Sequence, residues 1–146
     1  MVKKGNPLNI NQLGDIARND LRFINRQRGS GTRVLLDYHL KLNRLATESI
    51  RGYDEEEYTH LGVAAAISSG RADTGLGIPA AAFALDLDFI SLFTERYDLV
   101  IPHQYLDTEL LKPLFEVING LEFKKAVSAL PGYDITVMGN FVADIN

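Results

Sequence analysis

Asn25-Arg26-Gln27-Arg28-Gly29-Ser30-Gly31-Thr32-Arg33 is a glycine- and arginine-rich loop set between two different periodicities. Before it, Arg22-Phe23-Ile24-Asn25 reads as a short buried strand, an apolar pair bounded by polar turns. After it the spacing turns helical from Thr32, with Val34, Leu35, Tyr38, Leu42 and Leu45 three or four residues apart. Strand, small-residue loop and helix in that order make one β-loop-α unit. Further along, Thr59 stands as N-cap for a helix running through Leu61, Val63, Ala64, Ala65 and Ile67 to Gly70. Asp73-Thr74-Gly75-Leu76-Gly77-Ile78 follows as a glycine-containing strand, and Pro79 suits the first turn of a small helix ending near Leu85. Alternating strands and helices predict an α/β fold with a mostly parallel sheet and helices on both faces.

Other elements complete the pattern. A short helix is expected around Ile10 to Ala17, and Ile50-Arg51-Gly52-Tyr53 reads as a further strand. Asp54-Glu55-Glu56-Glu57 reads as a solvated acidic turn. Phe89 to Phe93 and Tyr97 to Ile101 carry the strongest strand patterns, and Pro102 stops the second. Two helices are predicted over Asp107 to Asn119, capped by Asp107, and over Leu121 to Ala129. Pro131-Gly132-Tyr133 forms a turn, and the tail from Ile135 leaves room for one edge strand.

The length of 146 residues fits a single domain with a real core. Cysteine is absent, which excludes a disulfide framework, thiolate metal ligation and a cysteine nucleophile. No apolar run approaches the roughly 20 residues of a membrane span, and Met1 to Pro7 lacks the apolar stretch of a signal peptide, so the chain reads as cytoplasmic. The net charge of −4 argues against general nucleic-acid binding. Between Arg18 and Arg51, however, eight basic residues face three acids, so this segment is +5 and the remainder −9. Such an island reads either as a solvated basic face or as a local site for something small and negative.

The glycine loop has the parts of an oxyanion cradle. The first amides of a helix lack internal partners, and the helix dipole adds partial positive charge there. Ser30 and Thr32 bring hydroxyls, Gly31 allows close approach, and Arg26, Arg28 and Arg33 bring full charge. A tight turn with Ser30 or Thr32 as a plain cap explains the same residues equally well. The phosphate-loop and dinucleotide fingerprints both fail here, since no lysine follows the glycines and Val34 stands at the third-glycine position. Thr59 and His60 open a second helix, which in a parallel sheet faces the same edge as the first. A plain N-cap and a satisfied surface histidine are the simpler readings of these two. Asp73 reads most simply as a partner for one of the arginines. His39, His60 and His103 lack metal-ligand spacing, no nucleophile elbow frames a serine, and neither a catalytic set nor a cofactor motif is visible.

Five ordered segments carry a resemblance: residues 25–33, Tyr58-Thr59-His60, Ser69 to Gly77, Glu95 to Pro102, and Leu130 to Asp134. Together they resemble the type II periplasmic-binding-protein-like domain fused to molybdopterin molybdotransferases, or to molybdate- and tungstate-responsive regulators. The resemblance implies a partial domain over 1–146 that lacks most of the first of two lobes. Residues of about 20–96 would form the second lobe, and about 97–146 a crossover strand with first-lobe return helices. It further implies a non-enzymatic module, binding or sensing molybdate or tungstate for molybdenum cofactor biosynthesis or its regulation. The expected ligand residues are Ser30, Gly31, Thr32, Arg33, Arg26, Thr59 and His60. The alternative is an assembly domain without a ligand of its own. Uncovered apolar surface predicts a homodimer, or pairing with a separate first lobe or a transferase.

Overall fold

The computed structural model describes residues 1–145. The chain divides into two compact units, Met1–Thr94 and Glu95–Asn146.

The first unit is built on β1 (Phe23–Arg26), all four residues of which are buried. Successive strand side chains point to opposite faces. Phe23 accordingly packs with Leu13, Ile16, Ile50 and, from α1 (Gly31–Leu42), Leu36 and Leu40. Ile24 turns the other way, onto Val63, Ala64 and Ile67 of α2 (His60–Ser68) and Ala81 and Ala82 of α3 (Pro79–Ala84). Each fully buried side chain of this size contributes about 1.5–3 kcal/mol. Helices therefore cover both faces, as a parallel sheet requires.

Two short strands flank β1 in the order β2-β1-β3, both parallel to it. In β2 (Glu56–Glu57), Glu56 and Glu57 register with Asn25 and Arg26. In β3 (Thr74–Gly75), Thr74 and Gly75 register with Phe23 and Ile24. Val2 adds antiparallel bridges to Thr74 and Asp88. The fold is thus α/β, with a three-stranded parallel sheet between helices.

Several local expectations are corrected. The acidic run is no simple turn: Glu56 and Glu57 form β2, while Ile50 to Tyr53, expected as the strand, make turns. The main-chain groups of Arg51 and Glu55 serve β1 by accepting from the amides of Phe23 and Asn25. Phe89 to Phe93 forms no strand beyond the bridge at Asp88. Its apolar side chains go to three separate clusters, Phe89, Ile90 and Phe93 each to a different one, so no alternating face is buried. The expected helix at Ile10 to Ala17 is a 3₁₀ turn over Leu13–Ala17.

Asp73 fastens β3 to the residue preceding β1. Its carboxylate accepts from the Arg22 amide at 2.8 Å and from the Arg22 guanidinium at 2.9 and 3.1 Å. These bonds from Arg22 hold the Asp73 carboxyl below the ordinary carboxylate value. A depressed folded-state pKa means that the stabilisation is complete above the unfolded pKa and is lost as pH falls through the folded one. Asp73→Asn is expected to cost about 1–2 kcal/mol at neutral pH, discounted for the half-exposed arginine. The gap to the unsubstituted protein should close when urea unfolding is repeated in acid.

The second unit contains α4 (His103–Leu106), α5 (Lys112–Asn119) and α6 (Leu121–Ser128). Tyr97 to Ile101, expected as a strand, is irregular coil among the described residues, with no pairing partner and Tyr97 93% exposed. Asp107 closes α4 as its C-cap rather than opening the next helix, and Leu111 and Pro113 begin α5 instead. The tail holds a turn over 136–139 and no strand among the described residues. None of the described residues in this unit is buried. No helix of the described residues is long and apolar enough to cross a membrane.

Candidate functional site

The order β2-β1-β3 places a topological switch at the carboxyl ends of the strands. The chain leaves β1 for one neighbour and returns to the other, and ligands of open α/β sheets bind at such an edge. Arg26 is the last residue of β1, Glu57 of β2 and Gly75 of β3. The β1–α1 and β2–α2 loops therefore leave adjacent strands from the same edge.

Both loops end in a side-chain cap. Ser30 Oγ accepts from the Arg33 amide at 3.2 Å, and Thr59 Oγ1 accepts from the Gly62 amide at 2.9 Å. Capping uses an oxygen lone pair and leaves each O–H proton able to donate outward. Among the described residues the amides of Gly31, Thr32, His60 and Leu61 meet no acceptor. Gly31 and Leu61 are exposed and Thr32 and His60 half-buried, so both helix starts remain approachable.

Arg26 ties the two loops together. It is 8% exposed. Its Nη2 donates to the Tyr58 carbonyl at 3.1 Å, its Nε to Gln27 Oε1 at 3.2 Å, and its Nη1 lies 2.9 and 3.0 Å from the two ring nitrogens of His60. Among the described residues no carboxylate pairs with it. Burial lowers the pKa of this guanidinium. Burial, and then the charge on Arg26, push His60 below its ordinary value, so the imidazole is neutral at pH 7.

Arg33 is placed differently. Its side chain, 4% exposed, pairs with Asp37 at 3.1 Å and Glu56 at 3.4 Å and lies 4.1 Å over the Tyr53 ring. Its guanidinium is committed beneath α1, whereas its amide belongs to the helix start. Arg28 pairs at the surface with Asp54 and Glu56.

Sequence reasoning passed over Glu57 and Arg71. The Glu57 carboxylate pairs with Arg71 and lies beside Gly62, 2.6 Å from where a Cβ would stand. The start of α2 thus already has an internal negative neighbour, while α1 has no acid in its first turn. Of the downstream glycines, Gly75 abuts the Ile24 carbonyl and Val63, and Gly77 the Met1 side chain, with His60 Nδ1 3.5 Å from its would-be Cβ. Both let chains pack closely behind the site. Among the described residues no three His, Asp or Glu side chains converge as metal ligands would.

A family model described as "PBP superfamily domain" matches residues 1–119. The chain belongs to the PBP superfamily. Among curated proteins, this PBP superfamily chain is 39% identical over 143 residues to "Uncharacterized protein YvgK" of Bacillus subtilis (strain 168), a match covering 98% of the chain and 46% of that protein. It is 35% identical over 113 residues to "Uncharacterized protein in ferredoxin 2Fe-2S gene 5'region" of Clostridium pasteurianum, covering 77% of the chain and 100% of that protein. The chain thus spans about half the length of the Bacillus relative. No solved structure matches. Membership of this superfamily points to ligand binding in general.

Proposed function

We propose that the chain is a binding or sensing module for a small tetrahedral oxyanion, held at the carboxyl edge of the sheet, and not an enzyme. The observation that carries this reading is Arg26, a buried guanidinium without an acid partner, standing where two helices begin. A buried cation is costly unless compensated. An anion lodged there accepts from the free amides of Gly31 and Thr32, the hydroxyls of Ser30, Thr32 and Thr59, and the guanidinium of Arg26. His60 contributes through its ring and its own amide. Arg33 contributes through its place in the first turn of α1, its side chain balancing Asp37 and Glu56.

Molybdate or tungstate is the ligand this reading favours, in molybdenum cofactor biosynthesis or its regulation. That choice rests on the resemblance of the five ordered sequence segments. Calorimetry of the folded chain with sodium molybdate, tungstate, sulfate and phosphate tests it. Saturable heat with molybdate or tungstate is expected, and no heat from any of the four would end the oxyanion reading.

A second reading, an assembly module without its own ligand, is favoured by one feature of the second unit. Leu114 and Val117 of α5, and Leu121 and Phe123 of α6, are all substantially exposed, and no described residue there is buried. Apolar surface of that kind is usually covered by a partner. A mass by light scattering that rises with concentration supports this reading, and a constant monomer mass counts against self-association.

A further inference from the structure

We propose that α1 pairs antiparallel with the α1 of a second copy of this chain, across a two-fold axis at Tyr38. Such a pairing requires no ligand, and it uses α1 rather than the exposed helices of the second unit.

The apolar spacing that marks α1 in the sequence is not the face that α1 buries. Arg33, Leu36 and Leu40 go inward. Val34, Tyr38 and Leu42, four residues apart, form an outward stripe and stay 61%, 62% and 64% exposed. Leu35 beside them is half-buried. A helix with two apolar faces needs two partners, and the cluster around Phe23 supplies only one. The central side chain of the stripe is already placed. The Tyr38 ring meets His39 edge-on at 5.2 Å, and His39 stacks on Phe93 at 3.9 Å. A tyrosine so held loses little rotamer freedom on docking, which suits it to anchor an interface.

Charge at the edge of the stripe says which partner fits. Asp37 and Lys41 flank it on the same side, about 100° and 60° around the helix from Tyr38. Asp37 accepts from the Tyr53 hydroxyl at 2.6 Å and from Arg33 Nε at 3.1 Å, yet its side chain stays 46% exposed. Lys41 is exposed and meets no acid among the described residues. A two-fold axis crossing the helix at Tyr38 sets Val34 against the second copy's Leu42, and Tyr38 against Tyr38. Lys41 stands three residues beyond the axis and Asp37 one residue before it. The second copy reverses that order, so each Lys41 comes within about 3 Å, along the helix, of the other copy's Asp37. The same stripe and the same acid–base pair then serve both copies, as an isologous contact requires. A parallel pairing would leave Lys41 and the second copy's Asp37 on opposite edges. Two helices of 12 residues make a small interface, below the roughly 1,200 Å² of a stable complex, so the dimer is weak and reversible.

Light scattering of the full chain over about 0.01–1 mM, the range of weak complexes, tests this. The mass is expected to approach twice the monomer at the top of the range. Tyr38→Arg, which sets two like charges face to face on the axis, is expected to weaken the dimer at least about tenfold. Lys41→Glu, which makes each edge pair repulsive, should weaken it about threefold, an effect that added salt reduces. Because the chain has no cysteine, single cysteines report the geometry. Under copper–phenanthroline oxidation, Tyr38→Cys is expected to form a disulfide-linked dimer much faster than Ser68→Cys, an exposed position on α2. Val34→Cys mixed with Leu42→Cys should crosslink faster than either variant alone. Tyr38 and Lys41 are exposed, so their substitution leaves the core intact; circular dichroism checks this, and the cysteine variants decide if arginine or glutamate unfolds the chain. A monomer mass throughout, a dimer unmoved by Tyr38→Arg, or Tyr38→Cys linking no faster than Ser68→Cys would each overturn the pairing. A dimer unmoved by Tyr38→Arg would leave self-association through the second unit standing.

Discussion

Arg26→Met is expected to weaken molybdate binding by roughly a hundredfold, equivalent to about 3 kcal/mol, while the chain stays folded. The magnitude follows from the setting. A guanidinium in water loses little when its partner leaves, but Arg26 is 8% exposed, where charge–charge attraction is screened far less. Methionine keeps much of the aliphatic bulk between β1 and α2 and removes the charge. The folded state gives up the bonds to the Tyr58 carbonyl and Gln27 but is relieved of an uncompensated buried cation. Binding should therefore fall far more than stability, and calorimetry alongside urea unfolding separates the two. Equal losses in both would mean that Arg26 serves the fold and not a ligand.

Gly52→Ala is expected to be the most damaging single methyl in the first unit, costing about 3 kcal/mol or more. Gly52 has φ +93°, a conformation that an L side chain adopts only under strain. A Cβ there would also overlap the carbonyl oxygen of Phe23 and come within 3.2 Å of its carbon. The obstacle is the backbone of β1, whose Phe23 amide donates to the Arg51 carbonyl one residue earlier. Neither side yields without breaking the start of the sheet. Gly5→Ala is the control: its φ is also positive, at +77°, but nothing lies within 4 Å. A loss in Gly52→Ala clearly beyond that in Gly5→Ala assigns the excess to the close approach. Thermal or urea unfolding of the two variants makes the comparison.

What could be read from the residues was whatever local chemistry determines. Thr59 caps α2, Pro79 opens α3, and of the two candidate caps of α1, Ser30 and Thr32, Ser30 serves, because caps and first-turn prolines act within one helical turn. The α/β class followed from the alternation of periods. Glu56 and Glu57 were illegible as a strand, since nothing in two glutamates favours extended pairing; β1 beside them imposes it. Tyr97 to Ile101 shows the converse, a strong strand pattern with no neighbour to pair with among the described residues. Asp107 looked like a cap for a long helix, but the helix before it ends there.

The site shows the same division. The Arg33–Asp37 pair is an i, i+4 spacing visible in the sequence, whereas the reach of Glu56 to the same guanidinium depends on strand register. That second acid decides that the Arg33 side chain is consumed internally. The contrast with Arg26, seven residues earlier and without an acid, emerges only when β2 is laid beside β1. Glu57 and Arg71 likewise meet across the α2 helix, a contact that their separation in the chain does not announce.

The oxyanion is proposed to dock where α1 and α2 begin. Amide proton–nitrogen correlation spectra of the labelled chain, recorded during addition of sodium molybdate, test it at each position. Saturable shifts are expected at the amides of Gly31, Thr32, His60 and Leu61 and at the Arg26 Nε–H. Shifts confined to other residues, or none at molybdate concentrations that give heat, would contradict it.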